Sequence, residues 1–195
     1  AVGPEDGDTV AKLTRSADLA LYHGKELGRG CVVRYQEFLQ FEADERHLLE
    51  ADLRTALVDG DLSIAYQSIV DADSQDIVAY EALLRWEHPT RGMISPDIFI
   101  PIAEEARLIN QIGSWVLRSA CTEAKTWPDH IRLSVNISAL EVEGGGLSNN
   151  IVGALAASGL SPERLELEVT ESVFLDNGSN TDEILEGLRR CQNKL

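Results

Sequence analysis

Between residues 61 and 172 the chain switches repeatedly between two hydrophobic periods, and this switching restricts its fold more than any single residue does. "LSIAYQSIVD" (62–71) alternates and is rich in β-formers. "DADSQD" reads as a turn, and "IVAYEALLRWE" (77–87) as a second strand. Two strands across a short polar turn predict an antiparallel hairpin. Pro89 and Gly92 then break the chain. Helical spacing follows over 96–106 and 108–127, a strand over 131–138, and a glycine loop at Gly144–Gly146. A helix over 147–159 ends at Gly159, a strand covers 164–172, and a last helix covers 181–195 with Thr181 as its candidate N-cap. After the hairpin, strand and helix alternate, which indicates a parallel sheet with crossover helices. The expected class is α/β.

Upstream, Leu13, Ala17, Ala20, Leu21 and Leu27 have helical spacing, and Gly28 and Gly30 are stop signals. "CVVRY" (31–35) reads as a short strand. One helix and one strand are too little to bury a core, so residues 1–35 are expected to be the tail of another domain. Apolar residues from Phe38 to Leu57 recur three or four apart and predict helix, stopped at Asp59-Gly60. Residues 36–45 are taken as linker and 46–59 as a helix of the following domain.

With 33 acids against 17 bases the formal net charge is −16. This argues against a DNA or RNA polymer held by nonspecific phosphate electrostatics. It leaves room for a small anion held through metal ions. No stretch reaches the roughly 18 apolar residues a membrane helix needs, and the N-terminus has no signal-peptide pattern. The chain does not start with Met, so it is expected to come from a longer protein. Cys31, Cys121 and Cys191 are odd in number and far apart; reduced thiols in a cytoplasmic protein are the simplest reading.

Polar residues gather near the C-terminal ends of predicted strands, where α/β folds bind ligands. Alternation places Glu81, Leu83 and Arg85 on one strand face. Asn136 sits on the next strand, Glu168 and Glu171 on or after the one beyond. Two carboxylates and an amide without histidine suit Mg²⁺, Mn²⁺ or Ca²⁺ rather than Zn²⁺. Each residue also has a plainer reading: Glu81 as a charge paired with Arg85, Asn136 as a loop cap, Glu168 as an edge-strand charge. His88, before a proline, reads as structural, and Trp86, Trp115 and Trp127 as core. Nothing resembles a nucleophile motif or phosphate loop.

"YEALLRWEHPTRGMISPDIFIPIAEEARLINQIGSWVL", followed in order by "SVNIS" and "LELEVTES", strongly resembles the N-terminal half of bacterial EAL domains, over about residues 46–195. "RSADLALYHGKELGRGCVVRY" resembles, less specifically, the end of a GGDEF domain. The resemblance implies a GGDEF–EAL protein of cyclic di-GMP signalling. It implies a partial TIM-like (β/α) barrel with an antiparallel first strand, cut after about the fourth strand–helix unit. Such domains hydrolyse cyclic di-GMP to linear pGpG with Mg²⁺ or Mn²⁺. By resemblance Glu81, Asn136 and Glu168 match metal ligands, and Arg85, Gln67 and Leu83 match substrate contacts. Glu171 matches a glutamate that steadies a loop. Two ions about 4 Å apart can activate water and neutralise the scissile phosphate.

The family's adjacent aspartate pair, lysine and later glutamate are expected beyond Leu195, so the isolated chain is expected to be inactive. The alternative is an EAL module that binds cyclic di-GMP or a protein without catalysis. A homodimer through the EAL domain is a further expectation. Two departures stand out: Ser68 replaces a proline of "YQPIV", and "ALEVEGGGLSNN" replaces the usual glutamine and aromatic after "VNIS".

Overall fold

The computed structural model describes residues 1–28 and 30–169. These divide into two compact units at Asp52/Leu53, inside one unbroken helix.

In the first unit, α1 (Val10–Glu26) starts at Thr9, whose hydroxyl accepts the Lys12 N–H at 3.3 Å. This cap sets the start earlier than periodicity indicates. The expected strand at 31–35 does not form, because β propensity needs a partner strand and no described strand pairs with it. The run lies against α1 instead: the Cys31 thiol donates to the Gly24 carbonyl, and a Cβ built on Gly24 would meet Val33 at 3.3 Å. α2 (Glu37–Asp59) is a single helix across the position where linker and domain helix were divided. Gly60, at φ +83°, ends it with its N–H on the Ala56 carbonyl.

The second unit carries the sheet. β1 (Leu62–Val70) and β2 (Ile77–His88) form the expected antiparallel hairpin. Its turn is built by Asp71, which accepts the N–H groups of Asp73 and Ser74. A short β3 (Gly92–Ile94), which the sequence reading missed, folds back on the end of β2. Then come α3 (Pro96–Glu105), α4 (Ile109–Ala124), β4 (Arg132–Ile137), a one-turn α5 (Ala139–Glu143), α6 (Leu147–Ser158) and β5 (Leu165–Val169). Gly159, at φ +69°, closes α6 in the left-handed conformation. β4 pairs parallel with β2, and β5 parallel with β4, giving the order β1-β2-β4-β5. Among the described residues the sheet is mixed and not closed. The predicted helix at 181–195, with Thr181, lies outside the described residues.

The two sheet faces differ in chemistry. Ala82, Trp86, Leu133, Val135 and Ile137 are buried on one face. The buried positions of α4 (Ile109, Ile112, Val116, Leu117, Ala120, Cys121, Ala124) recur at helical spacing and form the stripe that faces the core. Trp86 is fully buried and meets Phe99 of α3 edge to face at 5.7 Å. The opposite face carries the polar residues that follow.

Candidate functional site

Register explains why distant sequence positions meet. Gln67 of β1 stands opposite Glu81 of β2, Glu81 opposite Ser134 of β4, and Asn136 opposite Glu168 of β5. Alternation keeps Gln67, Glu81, Leu83, Arg85, Ser134, Asn136, Glu166 and Glu168 on one face. Asn136 and Glu168 lie near the C-terminal ends of their parallel strands, where such sheets bind ligands.

Two hydrogen bonds connect the strands there. Asn136 Nδ2 donates to Glu81 Oε1 at 2.7 Å. Ser134 Oγ donates to Glu168 Oε1 at 2.5 Å. Glu81, Leu83 and Arg85 are half-buried, whereas Gln67, Asn136 and Glu168 are exposed. Arg85 does not pair with Glu81; its Nη1 donates to the Leu84 carbonyl at 2.9 Å. The plainer reading of these two residues as an ion pair therefore fails. The neighbouring Glu166 has its own cation, Arg132. Glu171 lies outside the described residues.

The donor set fits a hard cation in chemistry: two carboxylates and one amide, all oxygen donors, on adjacent strands. Among the described residues no three His, Cys, Asp or Glu side chains cluster closely enough to hold a metal by themselves. A cation held here would need Asn136 beside the two carboxylates, with water or other oxygens filling the remaining positions.

The chain leaves this site through a fastened turn. Ser138 caps α5, and its N–H donates to Glu141 Oε2 at 3.0 Å, completing a capping box. Ser138 Oγ also donates to Glu104 Oε1 of α3 at 2.6 Å. Glu141 is buried against Gly113 of α4, where an added Cβ would lie 1.8 Å from its Oε1. Burial pushes the Glu141 carboxyl up to about 7, opposed by the Ser138 N–H and assisted by the negative Glu104.

Sequence reasoning missed Ser134 and this turn. Ser134 was visible as a polar residue alternating with Asn136 in "LSVNIS", but its burial depends on β2 and β5 lying on either side. His88 is structural, as expected: it is buried, and its Nδ1 accepts the N–H groups of Thr90 and Arg91. A cleft of about 1160 Å³ lies at the hairpin end of β2, against Tyr66, Tyr80 and Trp127. It sits on the face opposite Glu81 and is not this site.

Comparison with known proteins defines the class. The chain belongs to the EAL domain family, whose sequence model matches residues 50–194. An uncharacterized signaling protein of Caulobacter vibrioides is 42% identical over 189 residues, covering 97% of this chain and 23% of that protein. MucR of Pseudomonas aeruginosa, a bifunctional diguanylate cyclase/cyclic di-GMP phosphodiesterase, is 41% identical over 192 residues, covering 96% and 28%. The solved structure of the PaMucR phosphodiesterase in complex with c-di-GMP is 41% identical and superposes with a TM-score of 0.71, covering 74% of this chain and 60% of that one. The chain thus spans about a quarter of these curated relatives and about three-fifths of the solved domain.

Proposed function

We propose that the protein containing this chain is a divalent-metal-dependent phosphodiesterase that hydrolyses cyclic di-GMP to linear pGpG. The observation that carries the reading is the Glu81–Asn136 hydrogen bond beside Glu168, an oxygen-donor set on three neighbouring strands of an EAL domain. The similarity to MucR and to a c-di-GMP-bound phosphodiesterase supports the substrate. Glu81, Asn136 and Glu168 would hold Mg²⁺ or Mn²⁺. Such ions, when bound, neutralise a phosphodiester and supply a nucleophile from water. Arg85, half-buried on the Glu81 face, has further guanidinium donors for a phosphate oxygen. Leu83 lies between Glu81 and Arg85 on that face and offers an apolar contact. Gln67, opposite Glu81, offers an amide to the dinucleotide.

The match to a bifunctional cyclase/phosphodiesterase over 96% of the chain also supports reading residues 1–35 as the end of a GGDEF domain and 46–195 as EAL, with 36–45, read as linker, continuing into the single helix α2. Glu171, by resemblance, steadies a loop of the site. A cytoplasmic location goes with this substrate. Among the described residues no helix is long and apolar enough to cross a membrane.

The test is hydrolysis of cyclic di-GMP by the full-length protein with and without Mg²⁺ or Mn²⁺, beside Glu81→Ala and the isolated 195-residue chain. Metal-dependent turnover is expected in the full-length protein, with a loss of at least about 100-fold in Glu81→Ala and none detectable in the isolated chain. Equal rates for full-length protein and variant defeat the role of Glu81. Tight binding without turnover in the full-length protein selects the alternative, a cyclic di-GMP-binding module; the structure of the Xanthomonas citri FimX EAL domain in complex with c-diGMP is 27% identical to this chain with a TM-score of 0.66.

A further inference from the structure

β4 serves the two candidate carboxylate ligands in opposite directions. Ser134 lies in register with Glu81 but donates to Glu168; Asn136 lies in register with Glu168 but donates to Glu81. The two bonds cross the sheet diagonally from one strand. Ser134 has 0% exposure, on a face whose other polar residues are exposed or half-buried. Its neighbours Leu133 and Val135 point to the packed face. A buried hydroxyl needs a partner, and the one it has is Glu168 Oε1.

We propose that Ser134 is a positioning residue: it fixes one oxygen of Glu168 so that the other is presented to a divalent cation. The physical reason is entropic and geometric. An exposed glutamate loses side-chain freedom when it binds an ion, and a donor on one oxygen removes part of that freedom in advance. The carboxylate has two oxygens, so Oε2 stays available. Partners in this outer position typically change metal affinity by about 10–100-fold. The inference rests on the metal-site reading above.

The experiment uses the full-length protein, wild type, Ser134→Ala and Glu81→Ala. It measures Mn²⁺ binding without substrate, by the EPR signal of free Mn²⁺, and the melting temperature of each metal-free protein. Ser134→Ala is expected to weaken Mn²⁺ about 10-fold while leaving the metal-free melting temperature unchanged. Unchanged Mn²⁺ affinity in Ser134→Ala, with affinity lost in Glu81→Ala, overturns this proposal and leaves the metal site standing. Weakened affinity matched by a fall in metal-free melting temperature also overturns it, assigning Ser134 to the fold. No Mn²⁺ binding by the wild type, or full binding by Glu81→Ala, overturns the metal-site reading and this proposal together.

Discussion

At the residue scale, Glu141 shows how a cap and a charge conflict. As the N3 member of the capping box, it gains the Ser138 N–H. Being buried against Gly113 and near Glu104, it resists ionising. Its folded pKa of about 7 lies above the ordinary 4.5, so the folded protein binds the proton more tightly than the unfolded chain. The resulting penalty is absent below about pH 4.5, grows as pH rises, and is complete above about pH 7. Glu141→Gln keeps an oxygen for the Ser138 N–H and removes the charge. The variant is expected to be more stable than wild type at pH 8, on the order of 3 kcal/mol, and equal to it at pH 4. Urea unfolding at the two pH values measures this; an equal difference at both would remove the charge as the cause. Asn136 and Glu168 stand near the ends of their strands, as local alternation indicated, whereas Glu81 stands in the middle of β2 rather than at its end. Ser134 and Glu141 were not legible at this scale, because only burial by other strands and helices distinguishes them from surface residues.

At the element scale, the parallel part of the sheet depends on how the chain enters each strand. Arg164, just before β5, is buried and reaches back: its Nε donates to the Ile131 carbonyl and its Nη2 to the Ala124 carbonyl, both at 2.9 Å. One side chain thus joins the end of α4, the start of β4 and the entry to β5. Its ionic contact with the fully exposed Asp129, at 3.6 Å, adds little. Arg164→Ala is expected to destabilise by about 2–4 kcal/mol through two lost charge-assisted hydrogen bonds, whereas Asp129→Ala changes stability little. Denaturant titration of both variants checks this; equal losses would locate the effect in the ion pair. Hairpin, helices and β4 followed from period and turn residues. The strand at 31–35 did not form, since propensity supplies no partner. β3 escaped notice because three residues carry no period.

At the scale of the whole molecule, β1 and β5 are the two ends of the described sheet, and each pairs on one side only among the described residues. Unpaired backbone donors and acceptors recruit other strands. The 195-residue chain alone is therefore expected to self-associate with rising concentration, and the full-length protein to hold a defined state, with a homodimer through the EAL domain as our proposal. Light scattering across a concentration series measures both; a concentration-independent monomer of the short chain counts against open-edge pairing.

Alternation of strand and helix, the hairpin, and the presence of oxygen donors on successive strands were readable from local period and residue chemistry alone. Tertiary structure decided which donors meet. Register set Glu81 beside Ser134 and Asn136 beside Glu168, and crossing hydrogen bonds joined them the other way. Only packing made Ser134 and Glu141 buried. Such pairings arise between residues far apart in the chain, through contacts that no local window contains.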